Sequence, residues 1–419
     1  MTRTHIRHLA ALLALLALAD CNIWARNNGG GGSGGGGDPF VLIHTFTGNA
    51  GGSAPNGVTA DAAGVIYGTT QSDGNCSTCG IIYRLTPPAS GNRWSFATLH
   101  KFVQSKDGIK PVGPLTVFDS KLYGTASAGG DPVCNCGVVF AIGTDGSGFT
   151  VLHTFKQRPL GSTPLGGLLI DADGTIYGST SAGGANGAGV IFRLGVGDNY
   201  TVLHDFAGTA GSGPHGGLVF GSDGAIYGTQ FTGGNFNQGA IFRITKGGGA
   251  YTVLYDFEGT TQPGPSTDGA MPDGRLAVAT DGTLYGTTSS GGASALGTAW
   301  SIKKSGGQWA YKQLRTFSGN DTAVPHSGLI LGADGSLYGT GSSGGASQAG
   351  ALFQLPPSGG SQRAYRTLHS FKSGDKKGDT PNSELALTNG VIYGSTLLGG
   401  NVGSGACSAG CGTVFSYTP

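Results

Sequence analysis

The amino-acid sequence predicts an all-β protein, a seven-bladed β-propeller whose blades each contain four strands. A Tyr-Gly pair returns seven times at intervals of 50 to 58 residues, at Tyr67, Tyr123, Tyr177, Tyr227, Tyr285, Tyr338 and Tyr393. Short β-forming runs and glycine-rich turns fill each interval, and no segment shows a helical period. A repeat of about 50 residues made of such strands is typical of a propeller blade.

The third repeat shows the four strands, which we name a to d in chain order. Its β-branched or aromatic runs begin at Gly167, Asp173, Gly189 and Tyr200. An Asp-Gly or Asn-Gly pair joins strands a and b in five repeats, because a tight hairpin needs the positive φ angles that these residues tolerate. Glycine pairs such as Gly183-Gly184 join strands b and c. The 83 glycines of the chain therefore indicate repeated turns in an ordered array.

The two ends of the repeat region complement each other. Residues 40–46 form a d strand with no blade before it, and the last repeat stops after its c strand, residues 414–417. We expect these ends to pair, so that three C-terminal strands and one N-terminal strand make the seventh blade. This pairing closes the ring and removes its open sheet edges. One domain, residues 39–419, is therefore predicted.

The N-terminal residues have the pattern of an export signal. Residues 1–21 contain Arg3 and Arg7 and then an apolar run that is too short to span a bilayer. Leu18-Ala19-Asp20-Cys21 resembles a lipobox, with Cys21 as the lipid-attachment residue of an outer-membrane lipoprotein. Cleavage after Ala19, at an Ala-x-Ala site, would instead give a secreted protein. Residues 22–38 are rich in Gly and Ser and are predicted to be a flexible linker.

The chain has seven cysteines, and six of them fall in pairs within the loops between strands b and c. Because Cys21 is the odd one, a lipid anchor accounts for it better than a free thiol in an oxidising compartment does. The pairs predict loop disulfides, although Cys-x-x-Cys spacing also occurs in zinc sites. A disulfide between Cys134 and Cys136 would close a short, strained ring, so these cysteines could instead pair with cysteines of a neighbouring blade. The three pairs are Cys76 with Cys79, Cys134 with Cys136 and Cys407 with Cys411.

A candidate ligand site follows the proline that opens strand a in every repeat. The next residue varies while its surroundings repeat, and strand a lines the central channel of a propeller. Its polar members should form an arc at one mouth of the channel: Asn56, His215, Asp273, His326 and Asn382. His215, Asp273 and His326 could hold a divalent metal or a sugar hydroxyl. Solvated loop residues are the alternative.

Histidine recurs at one position of strand d, at His44, His100, His153, His204 and His369. The alternation of the strand places His153 on the same face as Val151 and Phe155. We therefore expect this histidine to pack between blades. Copies on separate outer strands are too far apart to share a metal.

Several motifs carry a family resemblance over about residues 40–419. These are the Asp-Gly-x-Ile-Tyr-Gly-Thr-Thr phrase, the Gly-Gly loop, the Leu-His-x-Phe strand and the Cys-Gly-Thr-Val-Phe variant at residues 411–415. Together they resemble the GloVer tandem repeat of bacterial "choice-of-anchor" surface proteins, and the strand order also resembles kelch units. The resemblance implies an exported, anchored, propeller-like array and brings no catalytic residues with it.

Composition limits the classes of function. Charged residues make up 11% of the chain and the net charge is +1, so no nucleic-acid partner is predicted. The chain has only two glutamates, Glu258 and Glu384, and no Gly-x-Ser-x-Gly, phosphate-loop or His-Glu-x-x-His motif. An envelope binding module or scaffold, monomeric and without a cofactor, is favoured, with a glycan, a cell-wall component or a protein as its partner. An extracellular enzyme that acts on carbohydrates or lactones is the alternative.

Overall fold

Seven four-stranded antiparallel sheets form the ring of the computed structural model, which confirms the predicted seven-bladed β-propeller. The structure describes residues 38–48, 51–73, 79–103, 107–156, 159–207, 213–259, 268–356, 365–401 and 407–419. The predicted signal peptide, Cys21, nearly all of the linker and Cys76 lie outside these residues. Within the described ranges, no helix is both long and apolar enough to cross a bilayer.

Every blade runs a-b-c-d in sheet order, with strand a innermost. The first strands are β1 (Phe40–Thr45), β2 (Ser53–Ala60), β3 (Ile66–Ser72), β4 (Ile81–Thr86), β5 (Ser95–Lys101), β6 (Ile109–Phe118), β7 (Lys121–Ala128), β8 (Val138–Gly143), β9 (Thr150–Thr154), β10 (Leu169–Ile170), β11 (Ile176–Thr180), β12 (Val190–Gly195), β13 (Asn199–Asp205) and β14 (Val219–Phe220). The others are β15 (Ile226–Gln230), β16 (Ala240–Ile244), β17 (Thr252–Asp256), β18 (Ala277–Val278), β19 (Leu284–Thr288), β20 (Thr298–Ser305), β21 (Gln308–Thr316), β22 (Ile330–Leu331), β23 (Leu337–Gly341), β24 (Gln348–Leu355), β25 (Arg366–Lys372), β26 (Ala386–Thr388), β27 (Val391–Thr396) and β28 (Thr413–Tyr417).

The seventh blade closes the ring as the unmatched ends predict. Its sheet order is β26-β27-β28-β1, so the N-terminal strand pairs antiparallel with the last strand of the chain. Phe40 lies opposite Tyr417 and Thr45 lies opposite Thr413. The N-terminal strand therefore pairs with the C-terminal strand, and the two ends of the ring are held by one sheet.

The repeated Tyr-Gly pair has a packing reason. In each blade the glycine on strand b lies directly opposite an aromatic residue on strand c, as Gly228 lies opposite Phe242. A methyl group on these glycines would lie only 2.4 to 2.7 Å from an atom of that ring. The glycine therefore makes room for a large ring inside the blade. The seven rings are Tyr83, Phe140, Phe192, Phe242, Trp300, Phe353 and Phe415, and all of them are fully buried.

The tyrosine of the same pair packs in the opposite direction, against the next blade. Tyr177 of blade 3 joins the buried cluster of Leu218 and Phe242 in blade 4. Tyr393 of blade 7 joins the cluster of Val58 and Tyr83 in blade 1. The hydrophobic core therefore consists of layers between neighbouring blades, and each layer takes residues from two repeats.

The outer strands are joined by a belt of stacked rings. The strand-d histidine of one blade stacks on an aromatic residue in or just before strand d of the next blade, as His204 does on Tyr251 at 3.8 Å between ring centroids. The other stacks are His44 on Phe96, His100 on Phe149, His153 on Tyr200, Tyr255 on Tyr311, Arg315 on Tyr365 and His369 on Phe40. His153 is buried there, which confirms that it packs between blades.

Two of the predicted loop disulfides are present, Cys134–Cys136 and Cys407–Cys411. Cys79 is also in a disulfide. Its predicted partner, Cys76, lies outside the described residues. These cysteines belong to blades 7, 1 and 2, which are consecutive in the closed ring.

Candidate functional site

The five residues of the predicted polar arc line one cavity of about 290 Å³ at the mouth of the channel. We call this the mouth cavity; its lining includes the polar residues Asn56, Gln71, His215, Asp273, His326, Asn382, Ser383 and Glu384, the apolar residues Val112, Leu165 and Leu397, and prolines and glycines of the strand-a loops. The proline that precedes each of the five positions fixes the direction in which the chain enters strand a. The ring then brings side chains from blades 4, 5, 6, 7 and 1 to one radius.

Asp273 lies between two histidines. Its Oδ2 atom is 2.8 Å from His326 Nδ1, and its Oδ1 atom is 3.5 Å from His215 Nδ1. The ring of His215 also stacks on Phe231, with 4.3 Å between centroids. Because each Nδ1 faces the carboxylate, each Nε2 is left as the outward hydrogen-bonding atom, and neither has a partner among the described residues.

The two histidines keep Asp273 ionised. Burial favours the protonated form of this carboxyl, but the hydrogen bonds and charges of His215 and His326 outweigh it, so the pKa of Asp273 lies below its usual range. The carboxylate therefore orients two imidazoles at neutral pH. Within the described residues, no group of three or more His, Cys, Asp or Glu side chains is arranged to hold a metal ion.

The asparagines of the arc differ in their surroundings. The amide of Asn56 is buried; its Nδ2 donates to Thr69 Oγ1 at 2.9 Å and to the carbonyl of Pro111 at 2.7 Å. Its Oδ1 accepts from Gln71 Nε2 at 3.2 Å. Asn56 therefore holds blades 1 and 2 together. Asn382 is exposed at the mouth and is accessible to a ligand.

Two charged residues in the channel were not among the predicted site residues. The position just before the buried Leu or Val of strand a is Gly or Pro in five repeats, at Gly57, Pro114, Gly167, Gly217 and Gly328. Blades 5 and 7 have Arg275 and Glu384 there instead. The signal is visible in the sequence once the repeats are aligned on that buried residue. Blade 1 is one residue shorter between its proline and Val58, which obscures the alignment.

Glu384 has a strongly shifted carboxyl. Burial raises its pKa to about 7, the charge of Asp273 adds to the rise, and the charge and backbone N–H of Arg275 oppose it. The side chain is therefore poised between its acid and its carboxylate near neutral pH.

Glu384 also lines a second cavity, of about 360 Å³, farther along the channel. We call this the inner cavity; it is lined by Val219, Phe220, Arg275, Leu276, Ala277, Val278, Ser327, Leu329, Ile330, Leu331, Glu384 and Leu385. These residues belong to strand a, or the residues just before it, in blades 4 to 7. The channel thus has a polar mouth and a mainly apolar interior, and Glu384 stands between them.

Fold and repeats together define the protein as a tandem-repeat β-propeller with a channel that could take a ligand. The chain belongs to the Gloeobacter/Verrucomicrobia repeat family, whose model matches residues 22–165, 54–268 and 261–419. This membership confirms the resemblance of the repeats.

Solved structures with a similar fold are distant in sequence. An aldose sugar dehydrogenase from Streptomyces coelicolor, solved with bound PQQ, is 13% identical with a TM-score of 0.46, covering 90% of this chain and 97% of its own. A putative glucose dehydrogenase from Thermus thermophilus is 18% identical with a TM-score of 0.42, covering 73% and 95%. A chain of a nidogen/laminin complex is 15% identical with a TM-score of 0.42, covering 75% and 93%. No curated protein sequence matches the chain significantly.

Proposed function

We propose that this protein is a binding module of the bacterial cell envelope and that it takes a polar ligand, a glycan or a cell-wall component, at the mouth cavity. The observation that carries the proposal is the convergence on one cavity of the variable polar residues that follow the proline opening strand a, although the flanking motif repeats. A site of this kind is a concave surface with a few well-placed polar groups.

The geometry suits hydroxyl-bearing ligands. The imidazoles of His215 and His326 are oriented by Asp273 through Nδ1, so the Nε2 of a neutral ring can accept a hydrogen bond from a ligand hydroxyl without a large loss of side-chain entropy. The exposed amide of Asn382 adds both a donor and an acceptor. Sugars present hydroxyls that need such mixed partners.

The test is a screen of glycans and envelope fractions with residues 38–419, with and without divalent metal. The double substitution His215→Ala and His326→Ala should weaken binding of any ligand found about tenfold or more, and circular dichroism and Tm check that the variant stays folded after Asp273 loses both partners. His153→Ala is a matched control, since His153 also contacts an aspartate, Asp198, at 2.6 Å but lies on an outer strand. If the double variant retains its affinity, the ligand binds somewhere other than the mouth cavity.

The proposal places the protein at the membrane through a lipid on Cys21. Replacing Cys21 by Ser in a bacterial host should then abolish labelling by a palmitate analogue and release the protein from membranes. Unchanged membrane association would favour ordinary secretion or another anchor.

An enzyme acting on carbohydrates or lactones is the second candidate. One observation favours it: a carboxylate-oriented imidazole, His326, and a carboxyl with a pKa of about 7, Glu384, line the same cavity. A carboxyl of this kind can give or take a proton near neutral pH. A panel of lactones and aryl glycosides should then be turned over by the protein and not by Asp273→Asn or Glu384→Gln. Absence of turnover across the panel would leave binding as the function.

A further inference from the structure

The inner cavity has a single positive charge among the described residues that line it. Arg275 is half-buried, and its guanidinium makes no hydrogen bond or ion pair with another described residue. Glu384 affects it electrostatically, but no guanidinium nitrogen of Arg275 lies within 4.0 Å of a carboxylate oxygen of Glu384. A cation that is partly removed from water without a close partner is costly.

Comparison with the other repeats indicates that Arg275 has a role other than supporting the fold. Four of the seven blades have glycine at the position of Arg275, and a fifth has proline, so the fold does not need a side chain there. The carbons of Arg275 lie against the backbone of the neighbouring Gly217, where a methyl group would be 3.4 Å from Cδ. The arginine therefore extends along the channel wall over a glycine of the preceding blade, blade 4.

Apart from Arg275, Ser327 and Glu384, the cavity is lined by apolar residues and is open enough for a small molecule. Val278, Ile330 and Leu331 line it and are only half-buried, although they belong to innermost strands. Side chains of this kind gain free energy when an apolar ligand covers them. A volume of about 360 Å³ lies within the range of small-molecule sites.

We propose that the inner cavity binds an organic monocarboxylate with a short non-polar chain, whose carboxylate pairs with the guanidinium of Arg275 and whose chain lies on Val278, Ile330 and Leu331. Arginine presents a planar fork of N–H donors that matches a carboxylate with two parallel hydrogen bonds. One guanidinium neutralises one negative charge, so a monoanion fits better than phosphate. Glu384 would add a hydrogen bond to the carboxylate when it is protonated.

This site is separate from the polar site proposed for the mouth cavity. It uses Arg275 and the apolar wall, whereas the mouth uses the two histidines. The double substitution His215→Ala and His326→Ala should therefore leave carboxylate binding intact, so failure of one proposal is distinguishable from failure of the other.

The experiment measures binding of hexanoate to the purified protein by titration calorimetry at pH 6, where Glu384 is mostly protonated. Hexanoate should bind with a stoichiometry of one, and hexanol, hexylamine and inorganic phosphate should bind at least tenfold more weakly. Arg275→Gln should weaken hexanoate about tenfold or more, because it removes the charge-assisted pair. Arg366→Gln, which removes an exposed arginine on the outer strand β25, should change nothing.

Arg275→Gly provides a second variant, since glycine is the residue of other blades at this position and should not disturb folding. Circular dichroism and Tm check that each variant is folded. The absence of saturable hexanoate binding would overturn the proposal. Equal affinity in wild type and both Arg275 variants, or tighter binding of phosphate than of hexanoate, would overturn it as well.

Discussion

The pKa values of two carboxyl groups in the channel are shifted in opposite directions because their surroundings differ. Asp273 contacts two histidines, which lower its pKa despite burial. Glu384 has no such close cation, and burial together with the charge of Asp273 raises its pKa to about 7. The same low-dielectric channel therefore holds one fixed charge and one group that can change charge at neutral pH.

Glu384→Gln should stabilise the protein at high pH. Above pH 7 the folded state bears the full cost of the buried carboxylate; the cost falls as pH drops towards 4.5 and is absent below it, where both states are protonated. The gain at pH 8 should be at most about 3 kcal/mol and should shrink towards pH 5. Urea denaturation at both pH values measures it, with the exposed Glu258→Gln as the control. A gain that does not depend on pH would contradict the shifted carboxyl.

The histidines of the outer belt should give the opposite pH dependence. Burial lowers the pKa of His44 to about 4, and burial also lowers the pKa values of His100 and His204. Between pH 6.5 and 4 the unfolded chain therefore takes up protons that the folded protein does not, so stability is lost as pH falls.

His44→Tyr tests this with a residue that the belt already uses, since Tyr255 occupies the same position in blade 4 and stacks on Tyr311 of blade 5 at 4.2 Å. The variant should lose less stability than the wild type between pH 7 and pH 4.5, by up to about 3 kcal/mol. Above pH 7 the two proteins should be similar. Chemical denaturation across this pH range measures the free energy of unfolding of both proteins. If the two free energies fall in parallel as pH decreases, the fold does not keep His44 neutral.

Within a blade, the glycine of strand b and the aromatic ring of strand c act as one unit. The ring occupies the space that a side chain on strand b would take, so a large ring on strand c requires a glycine opposite it on strand b. This explains why the Tyr-Gly phrase is the most regular part of the repeat.

Gly228→Ala should destabilise the protein by about 1–3 kcal/mol, because the new methyl group would overlap the buried ring of Phe242. Gly247→Ala is the matched control: it lies in the turn after the same blade's strand c, where a methyl group meets nothing within 4 Å. Thermal and urea unfolding measure both. Equal stability of the two variants would mean that the blade relaxes around the ring.

Across the whole molecule, the N-terminal strand β1 contributes to stability in two ways. It completes the seventh sheet, and it supplies both Phe40 and His44 to the belt, stacked on His369 at 3.8 Å and on Phe96 at 4.4 Å. Its removal would open a sheet edge and break the belt at two places.

Deleting residues 40–46 should therefore lower Tm strongly or cause aggregation, whereas deleting residues 22–37, the predicted linker, should leave Tm unchanged. Differential scanning calorimetry and size-exclusion chromatography measure the two outcomes. Similar melting of both truncations would mean that β1 does not hold the ring closed.

The sequence alone determined the architecture and the ends of the ring, because strands and turns depend on local patterns and the repeat supplies them seven times. It also placed His215, Asp273 and His326 in one arc, since equivalent positions of a closed ring share a radius. Only the tertiary structure decided that Asp273 lies between two imidazoles and that Asn56 is used to join two blades. It alone identified Arg275 and Glu384 as channel residues. The environment of Arg275 and Glu384 depends on strand register and on which residues the closed ring brings together across the channel. The local sequence pattern of one repeat determines neither of these.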